Sequence, residues 1–298
     1  MSRKDRPAIA CVGAGKLART LLPPLSAAGY PIVAVAAPRV GSARSACRSI
    51  PGARPTTDPV RAAGRGQVVL LAVPDRAIPP LARTLASALD WQHRTVFHHA
   101  GALGLEPLRP LARAGASTGV FHPLQTFGDP ALARTLLPGS RVRIEGQAPA
   151  RRVARRMARD LGLTALALPG RPSRTDRSVY HAAASLVSND LVALLAEAAD
   201  LLESTGLSRS RAVRALVPLA SGTLAQVRTG DLARALSGPL VRGDVATLRA
   251  QLSACDRRSK RAGELHRMLS ERLLQAARDA GRSISEETLA ELRELLRR

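Results

Sequence analysis

An α/β fold, with a doubly wound parallel sheet in the N-terminal half followed by an all-α region, is predicted by three observations. Short apolar runs of strand length alternate with helical segments from Ala8 to Leu168, an order that pairs parallel strands through helical crossovers. A glycine-rich turn, Gly13-Ala14-Gly15, directly follows the first run. Beyond a Pro/Gly/Ser-rich stretch from Pro169 to Ser173, apolar residues recur only at helical spacing. The chain of 298 residues is thus expected to divide into domains at 1–170 and 171–298, each long enough to bury its own core.

Taken in order, strands are expected at Ala8–Val12, Ile32–Ala37, Val68–Val73, Thr95–His98, Ala116–Phe121, Arg141–Ile144 and Leu163–Leu168. Each is a compact apolar run bounded by glycine, proline or polar residues. Helices are expected from Lys16 to Ala28, from Ala77 to Leu89 and, strongly basic, from Arg151 to Leu161. In the second domain the helical spacing covers Val179–Leu202, Ala212–Val227 and Leu265–Ala277, and Ser285 is placed to cap a last amphipathic helix.

Composition excludes several classes. The net charge is +22, almost all from arginine spread over both halves. Aromatic residues make up only 2% of the chain, which leaves no stacking platform for single-stranded nucleic acid. The charge is read as compositional bias, and a nucleic-acid partner is not expected. Cys11, Cys47 and Cys255 are odd in number and far apart, which indicates neither a disulfide framework nor a metal site and fits a reducing, cytoplasmic compartment. Arg3, Lys4 and Arg6 precede an apolar run as in a secretion leader, but Gly13, Gly15 and Lys16 interrupt it at once, as a first strand requires. The apolar stretch Val179–Leu202 contains His181, Asn189, Asp190, Glu197 and Asp200, which are costly in lipid, so no membrane span is expected.

Gly13-Ala14-Gly15-Lys16-Leu17-Ala18 reads G-x-G-x-x-A between a strand and a helix. The first glycine permits the tight turn, the second lets backbone approach a pyrophosphate, and the small Ala18 lets helix pack on strand. Phosphates then meet free N–H groups at the helix N-terminus. This is the fingerprint of a Rossmann-type dinucleotide site. About 20 residues on, where NAD-binding chains commonly place an acid for the ribose 2′-hydroxyl, the segment from Ala37 to Arg44 holds Arg39, Ser42 and Arg44 and no acid. NADP is therefore expected in preference to NAD.

Several phrases resemble a family assigned as oxidoreductases, with a Rossmann-like first domain and a helical second domain of unknown function. They are Val73-Pro74-Asp75, His98-His99-Ala100-Gly101, Phe121-His122-Pro123-Leu124-Gln125-Thr126-Phe127, Tyr180-His181-Ala182-Ala183-Ala184 and Gly238-Pro239-Leu240-Val241-Arg242-Gly243-Asp244. The resemblance covers nearly the whole chain and departs at Ala100, where the family often has serine. More remotely, the layout is similar to pyrroline-5-carboxylate reductase and the 6-phosphogluconate dehydrogenase superfamily. That kinship implies a cleft between the domains and a homodimer formed through the second.

Val73, Pro74 and Asp75 end a strand at the ligand-bearing edge of the sheet and are expected to border the nicotinamide. His122, fixed by Pro123, is a candidate proton donor because an unperturbed imidazole titrates near neutrality, and Gln125 lies just beyond it. His181, a second candidate donor, shares one helical face with Ser185, Ser188 and Asn189. In the related hydroxyacid dehydrogenases a lysine precedes a helical asparagine by one turn; counting back from Asn189 gives Ser185, which weakens keto-acid chemistry. Arg242 is a candidate carboxylate clamp, and Asp244 reads as a helix cap. The sequence is thus expected to encode an NADP(H)-dependent reductase of a small carboxylated imine or carbonyl compound. His122 and His181 would be catalytic, and Gln125, Ser185, Asn189 and Arg242 would bind substrate. The alternative is a non-catalytic NADP-binding regulatory protein.

Overall fold

The computed structural model describes residues 6–170, 172–228 and 230–297. Arg3 and Lys4, Arg171 of the expected linker, and the final Arg298 lie outside the described residues. Two compact units divide at Ser185 and Leu186.

The first unit is an eight-stranded sheet in the order β3-β2-β1-β4-β5-β6-β7-β8. The strands are β1 Ile9–Val12, β2 Ile32–Ala36, β3 Arg54–Thr56, β4 Val68–Leu71, β5 Thr95–His98, β6 Ser117–Leu124, β7 Arg141–Gly146 and β8 Thr164–Leu166. Its helices are α1 Lys16–Ala27, α2 Val40–Cys47, α3 Pro59–Ala63, α4 Ile78–Ala88, α5 Arg109–Arg113, α6 Pro130–Leu136, α7 Ala148–Asp160 and α8 Arg174–Leu186. Strands β3 to β6 pair in parallel, with the order reversing between β1 and β4. Side chains alternate across the buried strands. Ile9, Cys11, Val68, Leu70 and Phe97 join one core with α1 and α7, while Val12, Val69, Leu71 and Val96 join the other with α4 and Trp91. Burial on both faces explains why these strands read as continuous apolar runs.

Two features depart from the expected sheet. β3 has only three residues, two of them exposed, and contains Pro55; a proline is tolerated there because the strand lies at the edge. β6 runs on through His122 and Pro123 to Leu124 and pairs antiparallel with β7, placing His122 opposite Arg143. The sheet is therefore parallel only as far as β6 and between β7 and β8.

The second unit contains α9 Asn189–Glu203, α10 Arg209–Gln226, α11 Val245–Arg258, α12 Lys260–Asp279 and α13 Glu286–Arg297. Leu248, Leu252, Leu274, Leu289, Leu292 and Leu296 build its core. Asp244 caps α11 by accepting from Thr247 N–H at 3.0 Å, and Ser285 Oγ accepts from Thr288 N–H at 3.2 Å; both caps were legible in the sequence.

The single helix expected over Val179–Leu202 is two. α8 and α9 are separated by a turn at Val187 and Ser188. Ser188 stands at the N-cap position of α9 without a side-chain cap bond, and Asp190 lies in its first turn. Arg174–Glu203 contains an 18-residue window of mean hydropathy 1.3, long and apolar enough by composition to cross a membrane. Its two helices have 13 and 15 residues, short of the roughly 20 that span a bilayer. α8 also stays with the sheet unit, because Arg177 pairs with Glu145 at 3.0 Å and Tyr180 bonds His122 at 2.9 Å.

Candidate active site

Parallel pairing brings the carboxyl ends of β2, β1, β4, β5 and β6 to one edge, the edge where this architecture binds ligands. At the reversal point Gly13 has φ +113°, and a Cβ there would collide with the Ala72 carbonyl of the neighbouring strand end. Its N–H donates to Ala36 O at 2.8 Å. Gly15, the N-cap of α1, has open space where a Cβ would stand, so a ligand can reach the first-turn N–H groups of a 12-residue helix. Ala14 and Leu17 are half-buried against the core and Ala18 is buried in it. Lys16 is exposed. Arg39 stands at the N-cap position of α2, makes no side-chain cap bond and is exposed shortly after β2. Pro74 opens a single 3₁₀ turn, Asp75–Ala77, after the half-buried Val73.

Beyond β5 the chain turns through His98, His99, Ala100 and Gly101. His98 is buried with both ring nitrogens engaged: Nε2 lies 2.7 Å from Gly104 O, and Nδ1 accepts from Ala100 N–H at 3.1 Å. His99 Nδ1 donates to Phe121 O, leaving its buried Nε2 without a partner among the described residues. Burial depresses His99 to about 4. Both histidines are thus neutral fixtures of the loop.

His122 is a different case. Its Nδ1 lies 2.9 Å from Tyr180 Oη, and its Nε2 would stand 3.0 Å from a Cβ on Gly101, which would also overlap His181 Nδ1. The His122 and His181 rings are 6.2 Å apart and nearly perpendicular. Only glycine at position 101 lets the two imidazoles converge. Burial, then the Arg143 charge, then His181 push His122 down to about 3. The expectation that His122 titrates near neutrality is therefore corrected: burial and the neighbouring Arg143 charge keep its ring neutral there.

Arg143 was not legible as a site residue. Its side chain is fully buried; Nη2 donates to Ala100 O at 3.1 Å and Leu103 O at 3.0 Å, and Nη1 pairs with Glu145. Glu145 also binds Arg177. Nothing in the local sequence of β7 marks these residues, since the β6 register places them. The Gln125 amide is committed to its own loop, donating to Leu136 O and Ser140 Oγ at 3.1 and 3.0 Å. Ser185 is half-buried near the end of α8, whereas Asn189 opens α9 and is exposed, so the two do not share a helix. Arg242 is the exposed last residue of a 3₁₀ turn, Leu240–Arg242, whose Leu240 is buried in the core of the second unit. Among the described residues no cluster of His, Cys, Asp or Glu could hold a metal.

The depressed histidines make stability pH-dependent. Both bind a proton in the unfolded chain below about 6.5 but stay neutral when folded down to about 4 and 3. Unfolding therefore takes up protons, and stability falls with pH from about 6.5 towards 4, by about 1.4 kcal/mol per unit for each histidine. Denaturant titrations at pH 7, 6 and 5 should show a shallower fall in His122→Asn than in the parent.

Residues 2–123 match the Rossmann-like domain family, and residues 140–273 match a domain of unknown function, DUF2520. This pairing agrees with the family resemblance carried by the His-Pro-Leu-Gln-Thr-Phe and Gly-Pro-x-x-Arg-Gly-Asp phrases. No curated protein matches the chain. Among solved structures it is similar to a Bacteroides fragilis protein assigned as an NADP oxidoreductase, at 22% identity and TM-score 0.73, over 92% of this chain and 100% of that one. It is also similar to pyrroline-5-carboxylate reductase from Coxiella burnetii, at 17% identity and TM-score 0.62, over 98% and 99% of the chains. A third is the reductive aminase of Aspergillus terreus in complex with NADPH and ethyl-5-oxohexanoate, at 16% identity and TM-score 0.59, over 95% and 97%. These likenesses establish the fold.

Proposed function

We propose that the chain is an NADP(H)-dependent oxidoreductase that reduces a small carboxylated imine or carbonyl compound. One observation carries the reading: a single sheet edge holds the basic turn after β2, the open Gly15 turn after β1, Pro74 after β4, and the His122–His181 pair beside Gly101. Gly15 and the first turn of α1 fit a pyrophosphate, and Arg39, with no acid at the end of β2, fits a 2′-phosphate. Bound there, the reduced nicotinamide supplies hydride. The named structural relatives, one assigned as an NADP oxidoreductase and one bound to NADPH, support this cofactor. The neutral His122 and the adjacent His181 are the proton donors of the proposal, at a site built in the reducing conditions of the cytoplasm.

Titration with NADPH and NADH tests the cofactor. NADPH is expected to bind about 10- to 100-fold tighter, and Arg39→Ala should narrow the gap; equal affinities in the parent would remove the NADP assignment. NADPH oxidation at high protein concentration, against a panel of cyclic imino acids and oxo acids, tests the reaction. NADPH binding without turnover across the panel would favour the non-catalytic alternative.

A homodimer through the second unit belongs to the same proposal. Val192, Leu194, Val217, Leu219 and Leu224 of α9 and α10 are exposed in the single chain. A groove of about 650 Å³ lined by Leu194, Leu201, Leu202, Leu265 and Leu269 opens between α9, α11 and α12. Apolar faces of this extent mark contact surfaces. Light scattering at micromolar protein should give twice the chain mass, and Leu219→Glu should return it to the monomer with NADPH affinity retained.

A further inference from the structure

We propose that Tyr180 and His122 form a two-proton relay, running from Tyr180 Oη–H to His122 Nδ1 and from His122 Nε2–H, on the side of Gly101 and His181, to the substrate, with Arg143 as the residue that positions it. The substrate end of the relay rests on the reductase reading above; its resting arrangement does not.

The geometry comes from three elements of the sheet unit. His122 on β6 and Arg143 on β7 are directly opposite in the antiparallel ladder, so their side chains emerge on the same face. Tyr180 of α8 covers them, with its hydroxyl 2.9 Å from His122 Nδ1 and its ring 5.3 Å from the Arg143 guanidinium carbon. Arg143 cannot swing away, because the carbonyls of Ala100 and Leu103 and the carboxylate of Glu145 hold its two terminal nitrogens. Those same bonds fix the loop that carries Gly101.

The bond between His122 and Tyr180 could run in either direction, and the fixed charge selects one. A guanidinium keeps its proton in proteins. Its positive charge favours the phenol as donor and opposes an imidazolium, and burial opposes the imidazolium further. The charged or titratable groups bearing on His122 are Arg143 from β7, His181 and Tyr180 from α8, His98 at the end of β5 and His99 just beyond it; none of them is a carboxylate. Tyr180 therefore donates to Nδ1, and the ring proton resides on Nε2, which faces Gly101 beside His181. His98 has both nitrogens engaged, and His99 has its proton on Nδ1, so neither can substitute.

In the reaction, the substrate oxygen or nitrogen would gain an electron pair as its carbon is reduced, the hydride being what a bound reduced nicotinamide would supply. That atom takes the His122 Nε2 proton, His122 Nδ1 takes the Tyr180 proton, and the resulting phenolate lies beside Arg143 until water reprotonates it. His122 stays neutral throughout.

The resting arrangement can be read without substrate by NMR of the full chain carrying ¹⁵N-histidine. The chain has six histidines, and the His122→Gln spectrum identifies the His122 signals. The expected result is a protonated Nε2, an unprotonated Nδ1 and no titration of His122 between pH 8 and 5. Tyr180→Phe should erase the tautomer preference in a folded protein, and Arg143→Met should raise the pH at which His122 protonates. If Arg143→Met does not fold, Tyr180→Phe decides. A proton on Nδ1 in the parent, a midpoint near 6.5, or an unchanged tautomer in Tyr180→Phe would overturn the relay. NADPH titration of the same samples separates this from the cofactor reading: loss of the relay with NADPH bound leaves that reading standing, and absence of NADPH binding removes it whatever the tautomer. With an active panel substrate, Tyr180→Phe should lower kcat by about 100-fold and leave KM unchanged.

Discussion

Gly13→Ala is expected to destabilise the sheet unit by about 3 kcal/mol and to abolish NADPH binding. Two effects add. The backbone at φ +113° is one that a side chain opposes, and the new Cβ would be driven into the Ala72 carbonyl, a backbone atom of β4's end that cannot yield without moving the sheet. The turn that opens α1 would be displaced with it. Gly15→Ala is the control, because its Cβ meets nothing within 4 Å. Thermal and urea denaturation should show Gly15→Ala near the parent in stability while its NADPH affinity falls. Equal stability of Gly13→Ala and the parent would refute the close approach.

Arg143→Ala is expected to cost at least about 3 kcal/mol, more than Arg177→Ala, although both arginines pair with Glu145. Removing Arg143 leaves the carbonyls of Ala100 and Leu103 without a donor and opens a cavity at a fully buried position. Each buried polar group so orphaned costs about 1–3 kcal/mol. Arg177 is buried too, but its side chain keeps 11% exposure against none for Arg143, and its loss leaves Glu145 paired with Arg143, so about 1.5–3 kcal/mol is expected there. Urea unfolding of the two variants measures the difference. The His122 environment should change in the first variant and persist in the second, since Arg143, not Arg177, charges that site.

The glycine turn after β1 was legible because it is local. Gly13, Gly15 and Ala18 do their work within six residues, and the basic segment around Arg39 follows the next strand. Asp244 and Ser285 were legible as caps for the same reason. The Tyr180–His122 pair was visible only as two separate phrases, 58 residues apart. His122 was expected to carry an ordinary imidazole acidity, since burial cannot be read from its neighbours in sequence. Arg143 was passed over entirely in a chain with 45 arginines and lysines, where one more cation carries no signal.

By itself, the sequence determined the alternation of strand and helix, the dinucleotide turn and the helical second half. Hydrophobic period, glycine position and capping chemistry act over a few residues and need no knowledge of the rest of the chain. Only the tertiary structure decided the antiparallel turn of β7, the break between α8 and α9, and the burial of Arg143 behind His122. Those depend on register and desolvation, which arise when segments distant in sequence are brought together.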